Sequence, residues 1–234
     1  MKKIYLVLFI YYLCICCTPK RGVEIEMIND TINSLHLDSN KTNTFISDSL
    51  YRKKGKNIIR YKITNHDSKI YYFNLKMNSY FSKNIIGIGI NKGFINFFDK
   101  HNVNVKTIGF LPSKFTECKD SFWEYQNKIV EELSYEMSGI EKYYYETANF
   151  VIHPNETLYF EDYVYLPIDG ITKFHNAKFN YQNEYSAEII IYSDSTNYKK
   201  NISRGTLQTI KQNRYEVYHG ILKSKNKVPV KFVD

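Results

Sequence analysis

Cysteine is almost absent from most of this chain. Only Cys118 lies beyond residue 17, while Cys14, Cys16 and Cys17 fall within four positions of one another near the start. No disulfide framework is available to the body, which must therefore stand on its own core. Long apolar runs are also missing after Ile15, so no membrane-spanning helix is expected there. The six histidines, His36, His66, His101, His153, His175 and His219, are scattered without H-x-H or H-E-x-x-H spacing, and the body has no C-x-x-C. No G-x-S-x-G elbow occurs. No metal site and no cofactor is expected, and the common nucleophile signatures are lacking.

The chain does have enough apolar content to fold. Of its 234 residues 43% are hydrophobic and 24% charged, which argues against wholesale disorder and for one main domain. Tyrosine (22) and phenylalanine (15) are abundant against a single tryptophan. With many Lys, Asn and Ile and little Ala or Gly, this bias reads as the product of A/T-rich coding more than as a stacking surface. The formal charge of +8 drops by two, to +6, when Lys2 and Lys3 are removed with the first sixteen residues.

Lys2 and Lys3 precede an almost unbroken apolar run from Ile4 to Ile15. A bilayer span needs about 17–25 apolar residues, so this shorter run reads as an export signal. Leu13-Cys14-Ile15-Cys16 followed by Cys17 resembles a bacterial lipoprotein lipobox, in which a Leu three positions upstream precedes the cysteine that is acylated and becomes the mature N-terminus. The resemblance implies acylation at Cys16 or Cys17. Ile15 is bulkier than the family prefers before the cysteine, whereas choosing Cys17 puts Cys14 where Leu is preferred, so Cys16 is the better match. Attachment to a membrane through this lipid and a place in the cell envelope, in the outer membrane of a Gram-negative bacterium, follow from the resemblance.

Residues 1–16 are thus read as signal peptide and 17–56 as a polar tether rich in Ser, Thr, Asn and Lys. Val23, Ile25 and Met27 alternate with Glu24 and Glu26, so an edge strand is expected within the tether. Residues 57–234 read as a β domain. Ile58–Thr64 and Ile70–Met77 flank Asn65-His66-Asp67-Ser68 and predict a hairpin, and Ile85–Ile90 with Phe94–Phe98 predict a second. Strands are expected on both sides of His153-Pro154-Asn155-Glu156, in the stretch that ends at Tyr192, on both sides of Gln212-Asn213, and in the final Val228–Val233 run. One segment differs: Ser121 and Glu124 have capping-box spacing, and Phe122, Ile129, Leu133 and Met137 recur at helical intervals. The expected fold is mainly β, an antiparallel sandwich with one inserted helix around residues 121–137. The phrases "YKITNHDSKIYYF" and "FVIHPNETLYF" resemble strands of bacterial immunoglobulin-like or fibronectin-like modules, with Asn155 where such turns often carry Gly.

Candidate chemistry is sparse. Cys118 lacks a recognisable partner and reads as a semi-buried thiol. Glu161, Asp162 and Asp169 are carboxylates close enough in sequence to raise the question of a glycoside-hydrolase pair. Glu131 and Glu132 read as the solvated face of the expected helix. Lys223, Lys225 and Lys227 recur at period two, which on a strand would make one basic binding face or protect an edge. Arg52, Lys53, Lys54 and Lys56 form a second basic run, read as solvated tether. Asp30-Thr31-Ile32, Asp48-Ser49-Leu50 and Asp194-Ser195-Thr196 resemble the three-residue O-glycosylation acceptor of some Gram-negative exported proteins, implying modification at Thr31, Ser49 or Ser195. A nucleic-acid partner is not expected of an exported protein without aromatics interleaved in a basic patch. The expected role is a non-catalytic binding or structural module with an envelope protein or polysaccharide partner. The rivals are a hydrolase of envelope or extracellular polysaccharide and a subunit of a larger envelope assembly.

Overall fold

Burial alternates along some strands of this protein, such as Lys56–Asn65, and is continuous along others, such as Tyr71–Phe73. The computed structural model describes residues 22–35, 54–75, 87–90, 92–105, 107–109, 148–166, 175–177, 179–196, 198–200 and 202–233. Cys16, Cys17, Cys118, Ser49, Asp169 and the helix expected at 121–137 lie outside these residues. In chain order the elements are β1 (Val23–Met27), β2 (Ile32–Leu35), β3 (Lys56–Asn65), β4 (Tyr71–Phe73), β5 (Ile88–Ile90), β6 (Gly93–Asp99), β7 (Thr107–Gly109), β8 (Phe150–Ile152), β9 (Thr157–Tyr165), β10 (His175–Ala177), β11 (Tyr185–Ser193), helix α1 (Arg204–Gln212), β12 (Glu216–Val217), β13 (Gly220–Lys223) and β14 (Val228–Val233). The fold is mainly β. Two strands, β1 and β2, fall inside the stretch whose composition reads as a tether.

A three-stranded sheet has the order β1-β3-β9, and a larger sheet the order β2-β14-β11-β6-β5, with β13 also on β11. The larger sheet curls into a half-barrel. Two small sheets, β12-β4-β8 and β7-β10, complete the set. In β3 the alternate residues Asn57, Ile59, Tyr61, Ile63 and Asn65 are buried, and those between them are not, the period-two signature of a sheet with one wet face. By contrast β11 is buried continuously from Ala187 to Ile191, so both of its faces are covered along that stretch. Pairing is not antiparallel throughout: β2 runs parallel to β14, and β12 parallel to β4.

The hairpin expected around Asn65–Ser68 does not form. β3 pairs with β9 and β4 with β8, so the chain passes from one sheet to another at this turn. Asn65 is the reason. Its buried side chain donates to the carbonyls of Lys69 (2.7 Å) and Ile152 (3.4 Å) and accepts the Asp67 N–H (2.9 Å), bending the chain over the sheet edge. β8 and β9 bend beside it at His153–Glu156, where Asn155 takes a left-handed φ of 59° and donates its N–H to the Asn65 carbonyl. The β5–β6 hairpin forms as expected, with Ile90 opposite Gly93.

The Gln212-Asn213 region is a helix and not the turn between two strands. Ser203 caps it by accepting the Thr206 N–H at 3.2 Å, and Leu207 and Ile210 pack on Tyr72 and Ile202 in a small core of their own. The three β-branched residues Thr206, Thr209 and Ile210 point to a strand by propensity, but the cap and the i, i+3 apolar pair prevail once a neighbour covers them.

β13 and β14 are two halves of one interrupted strand. Lys223 lies opposite Ile190 and Val228 opposite Ala187, so Ser224–Lys227 bulge out across from Glu188 and Ile189. The bulge reaches the other sheet: Lys225 N–H donates to the Ile25 carbonyl, and the Asn226 side chain accepts from Met27 N–H (2.9 Å) and donates to Met27 C=O (2.8 Å). Inner faces of both large sheets then share one core, with Ile25, Ile59, Tyr61 and Ile63 from one and Ile95, Phe97, Ile189 and Ile191 from the other.

Candidate functional site

Where β6 ends and β11 and β14 begin, strand geometry leaves a groove of about 590 Å³, within the range of about 300–1,000 Å³ typical of ligand sites. Its apolar floor is Tyr185, Pro229, Val230 and Phe232. Phe232 is held edge-on by Tyr181 (5.0 Å between ring centres), Phe179 (5.6 Å) and Tyr185 (6.0 Å), and the Tyr185 hydroxyl accepts the Asn180 N–H at 2.8 Å. Such an interlocked set fixes the floor before any ligand arrives. The rim is polar, with Asp99, Lys100, Asn183, Glu184, Ser186 and Lys227.

Two of the rim charges are already committed. One Asp99 oxygen accepts the N–H groups of His101 (2.8 Å) and Val103 (2.9 Å) and so shapes the turn that carries Lys100. Lys227 donates to Asn102 Oδ1 at 2.8 Å and rests 3.9 Å above the Phe98 ring. Asn102, at a left-handed φ of 60°, presents that oxygen. These groups hold the wall of a groove and are not arranged as an acid–base pair.

The three lysines of the period-two run do not share a face, because the bulge sends each to a different place. Lys223 is exposed opposite Ile190. Lys225 joins Glu26 at 2.6 Å in a small polar cleft with Glu24, Lys62, Thr64 and His66. Only Lys227 borders the groove. In that cleft Glu26 also meets Lys62 (3.1 Å), and the Lys225 and Lys62 ammonium groups hold the Glu26 carboxyl below its usual range.

Thr31 is half-buried between β1 and β2, and Ser195 half-buried after β11, where its N–H donates to His219 Nδ1 at 3.3 Å. Asp194, which precedes it, is buried and accepts from the N–H and hydroxyl of Thr196. Of the basic run, Lys54 and Lys56 are exposed, and Lys56 lies 4.4 Å above the Tyr163 ring.

Glu161 and Asp162, adjacent on β9, point to opposite faces of the sheet, as neighbours in any strand must. Glu161 is exposed and accepts from Arg60 Nε at 2.7 Å. Asp162 points inward and accepts from the Tyr61 hydroxyl at 3.3 Å. The two cannot flank one glycosidic bond. Near Asp162, at the β5–β6 turn, Lys92 donates to the Ala148 carbonyl at 2.7 Å, and its backbone hydrogen-bonds the Tyr61 hydroxyl. Burial lowers the Lys92 ammonium below its ordinary value, and burial with the nearby Asp162 raises the Tyr61 hydroxyl. This cluster ties the β5–β6 turn to the three-stranded sheet.

The chain matches no protein-family model, no curated protein and no solved structure. Among the described residues no three His, Cys, Asp or Glu side chains gather to hold a metal ion, and no helix is long and apolar enough to cross a membrane. The groove was missed in the sequence because its floor comes from residues spread between 179 and 232. The one available signal was the local density of aromatics at Phe179, Tyr181 and Tyr185.

Proposed function

We propose that the protein is an exported lipoprotein of the Gram-negative cell envelope, acylated at Cys16 or Cys17, whose β body is a non-catalytic binding module. The observation that carries this reading is the groove over Tyr185 and Phe232, in which the floor is apolar and pre-set while the Asp99 and Lys227 rim charges are engaged in shaping the wall. We read the body as a variant of the immunoglobulin-like sandwich. Facing sheets with one core, and a C-terminal strand beside the N-terminal β2, support that reading.

The test uses full-length protein from native membranes. Peptide mass spectrometry of the wild type, Cys16→Ala and Cys17→Ala should find a lipid on one cysteine and the preceding residues gone; an unmodified N-terminus removes the anchor. Envelope oligosaccharides are then titrated calorimetrically against the wild type and Lys227→Ala. Saturable heat that weakens in the variant, with no new reducing ends, supports the module; release of reducing ends identifies a hydrolase instead.

A further inference from the structure

The solvent face of the β1-β3-β9 sheet carries two of the most exposed large hydrophobic side chains among the described residues. Tyr159 and Tyr163 are 69% and 59% exposed. They lie four residues apart on β9, an edge strand of that sheet among the described residues, so their Cα atoms are about 13 Å apart along the strand. Midway between them the Arg60 guanidinium meets Glu161 at 2.7 Å across the β3–β9 ladder. Lys56 lies over the Tyr163 ring at 4.4 Å and constrains it. Alternation makes this a single row: tyrosine, a donor–acceptor pair, tyrosine.

Charge on this face selects the partner. Its strands present Glu24, Glu26 and Glu161 against Lys56, Arg60 and Lys62, and Lys225 from the bulge joins Glu26, so the face carries nearly balanced charge, four cations against three anions. An anionic lipid surface or a polyanion needs a cluster of unpaired basic groups, whereas here Arg60 is paired with Glu161, and Lys62 and Lys225 with Glu26. A protein partner of ordinary size wants a contiguous apolar centre, and here an ion pair separates the two rings. A neutral polysaccharide matches both features: the C–H faces of its rings stack on the negative faces of aromatic rings, and its hydroxyls use the remaining donors and acceptors of an Arg–carboxylate pair.

We propose that this face is a second binding site, for a neutral β-linked polysaccharide chain lying along β9 across Tyr159 and Tyr163. The inference rests on the reading of the protein as a binding module but not on the groove.

Affinity electrophoresis of the full chain in mild detergent, through gels containing hydroxyethylcellulose or glucomannan, tests it. The wild type should be retarded. Each of Tyr159→Ala and Tyr163→Ala should weaken retardation by about tenfold, the double variant should run as in a plain gel, and Tyr159→Phe/Tyr163→Phe should retain binding. All these positions are exposed, so thermal midpoints should match the wild type. Absence of wild-type retardation in both polymers overturns the proposal, as does undiminished retardation of the double alanine variant. So does stronger retardation by polygalacturonate. Retardation lost in Lys227→Ala but kept in the tyrosine double variant puts the polymer in the groove, overturning this inference while leaving the binding-module reading intact.

Discussion

Replacing Asn226 with alanine tests the contact by which the β13–β14 bulge closes one edge of the three-stranded sheet. Asn226 accepts from Met27 N–H and donates to Met27 C=O, at 2.9 and 2.8 Å, standing in for the next strand of a ladder. A hydrogen bond contributes about 1 kcal/mol net, and a buried backbone group left unpaired costs about 1–3 kcal/mol. Met27 is only 2% exposed, but Asn226 is half-buried and water can reach the vacated position. The lower end of the range therefore applies, giving about 2–3 kcal/mol for Asn226→Ala. In a chain of this size that lowers Tm by about 5–10 °C. Urea unfolding should show an earlier midpoint with an unchanged slope. Light scattering during refolding should rise, because an unpaired edge invites strand pairing between molecules. A loss below about 0.5 kcal/mol, the range of ordinary surface changes, would refute the idea that this side chain holds the sheet edge.

At the β5–β6 turn, Gly93→Ala should cost about 1–3 kcal/mol or more, because its new methyl would stand 2.4 Å from the Ile190 carbonyl oxygen, whereas Gly89→Ala, with nothing within 4 Å, should be near neutral; equal urea midpoints for the two would refute this. Lys92 predicts a pH dependence: burial lowers its folded pKa below the ordinary 10.5, so between those two values the unfolded chain binds more protons and stability rises with pH. Chemical denaturation from neutral pH to just below 10, before tyrosines ionise in the unfolded chain, should show a steeper rise for the wild type than for Lys92→Met, and parallel curves would refute it.

Strand identity was legible wherever alternation was clean. The pattern in β3 follows from residues 57–65 alone, and the β5–β6 hairpin from Ile88, Ile90 and Phe94 around a short turn. Strand partners were less legible. The turn at Asn65 has ordinary hairpin composition, and contacts distant in sequence, such as the hydrogen bond from Asn65 to Ile152, 87 residues away, lead it into another sheet. The helix α1 replaces a strand expected before Gln212-Asn213; it rests on the Ser203 cap and on Tyr72 and Ile202 being there to cover Leu207 and Ile210, contacts distant in sequence. The lysine stripe failed as a single face for a related reason. Period two holds along an unbroken ladder, and the four-residue bulge at Ser224–Lys227 interrupts it.

That bulge also explains an asymmetry that matters for binding. On the β1 side of the three-stranded sheet, Lys225 and Asn226 cap the backbone of Ile25 and Met27, and Lys225 with Lys62 clamps Glu26. That edge is closed by the bulge, through the Lys225 backbone N–H and the Asn226 side chain, as an edge strand requires. On the β9 side no strand follows among the described residues, and there the exposed residues are tyrosines. Among the described residues, an edge strand carrying two large exposed rings has little defence against aggregation, since aromatics favour strand pairing. The proposed polysaccharide would cover Tyr159 and Tyr163 at that position. The compositional excess of tyrosine accounts for how many the chain has, but it does not place two of them on one face with an ion pair between.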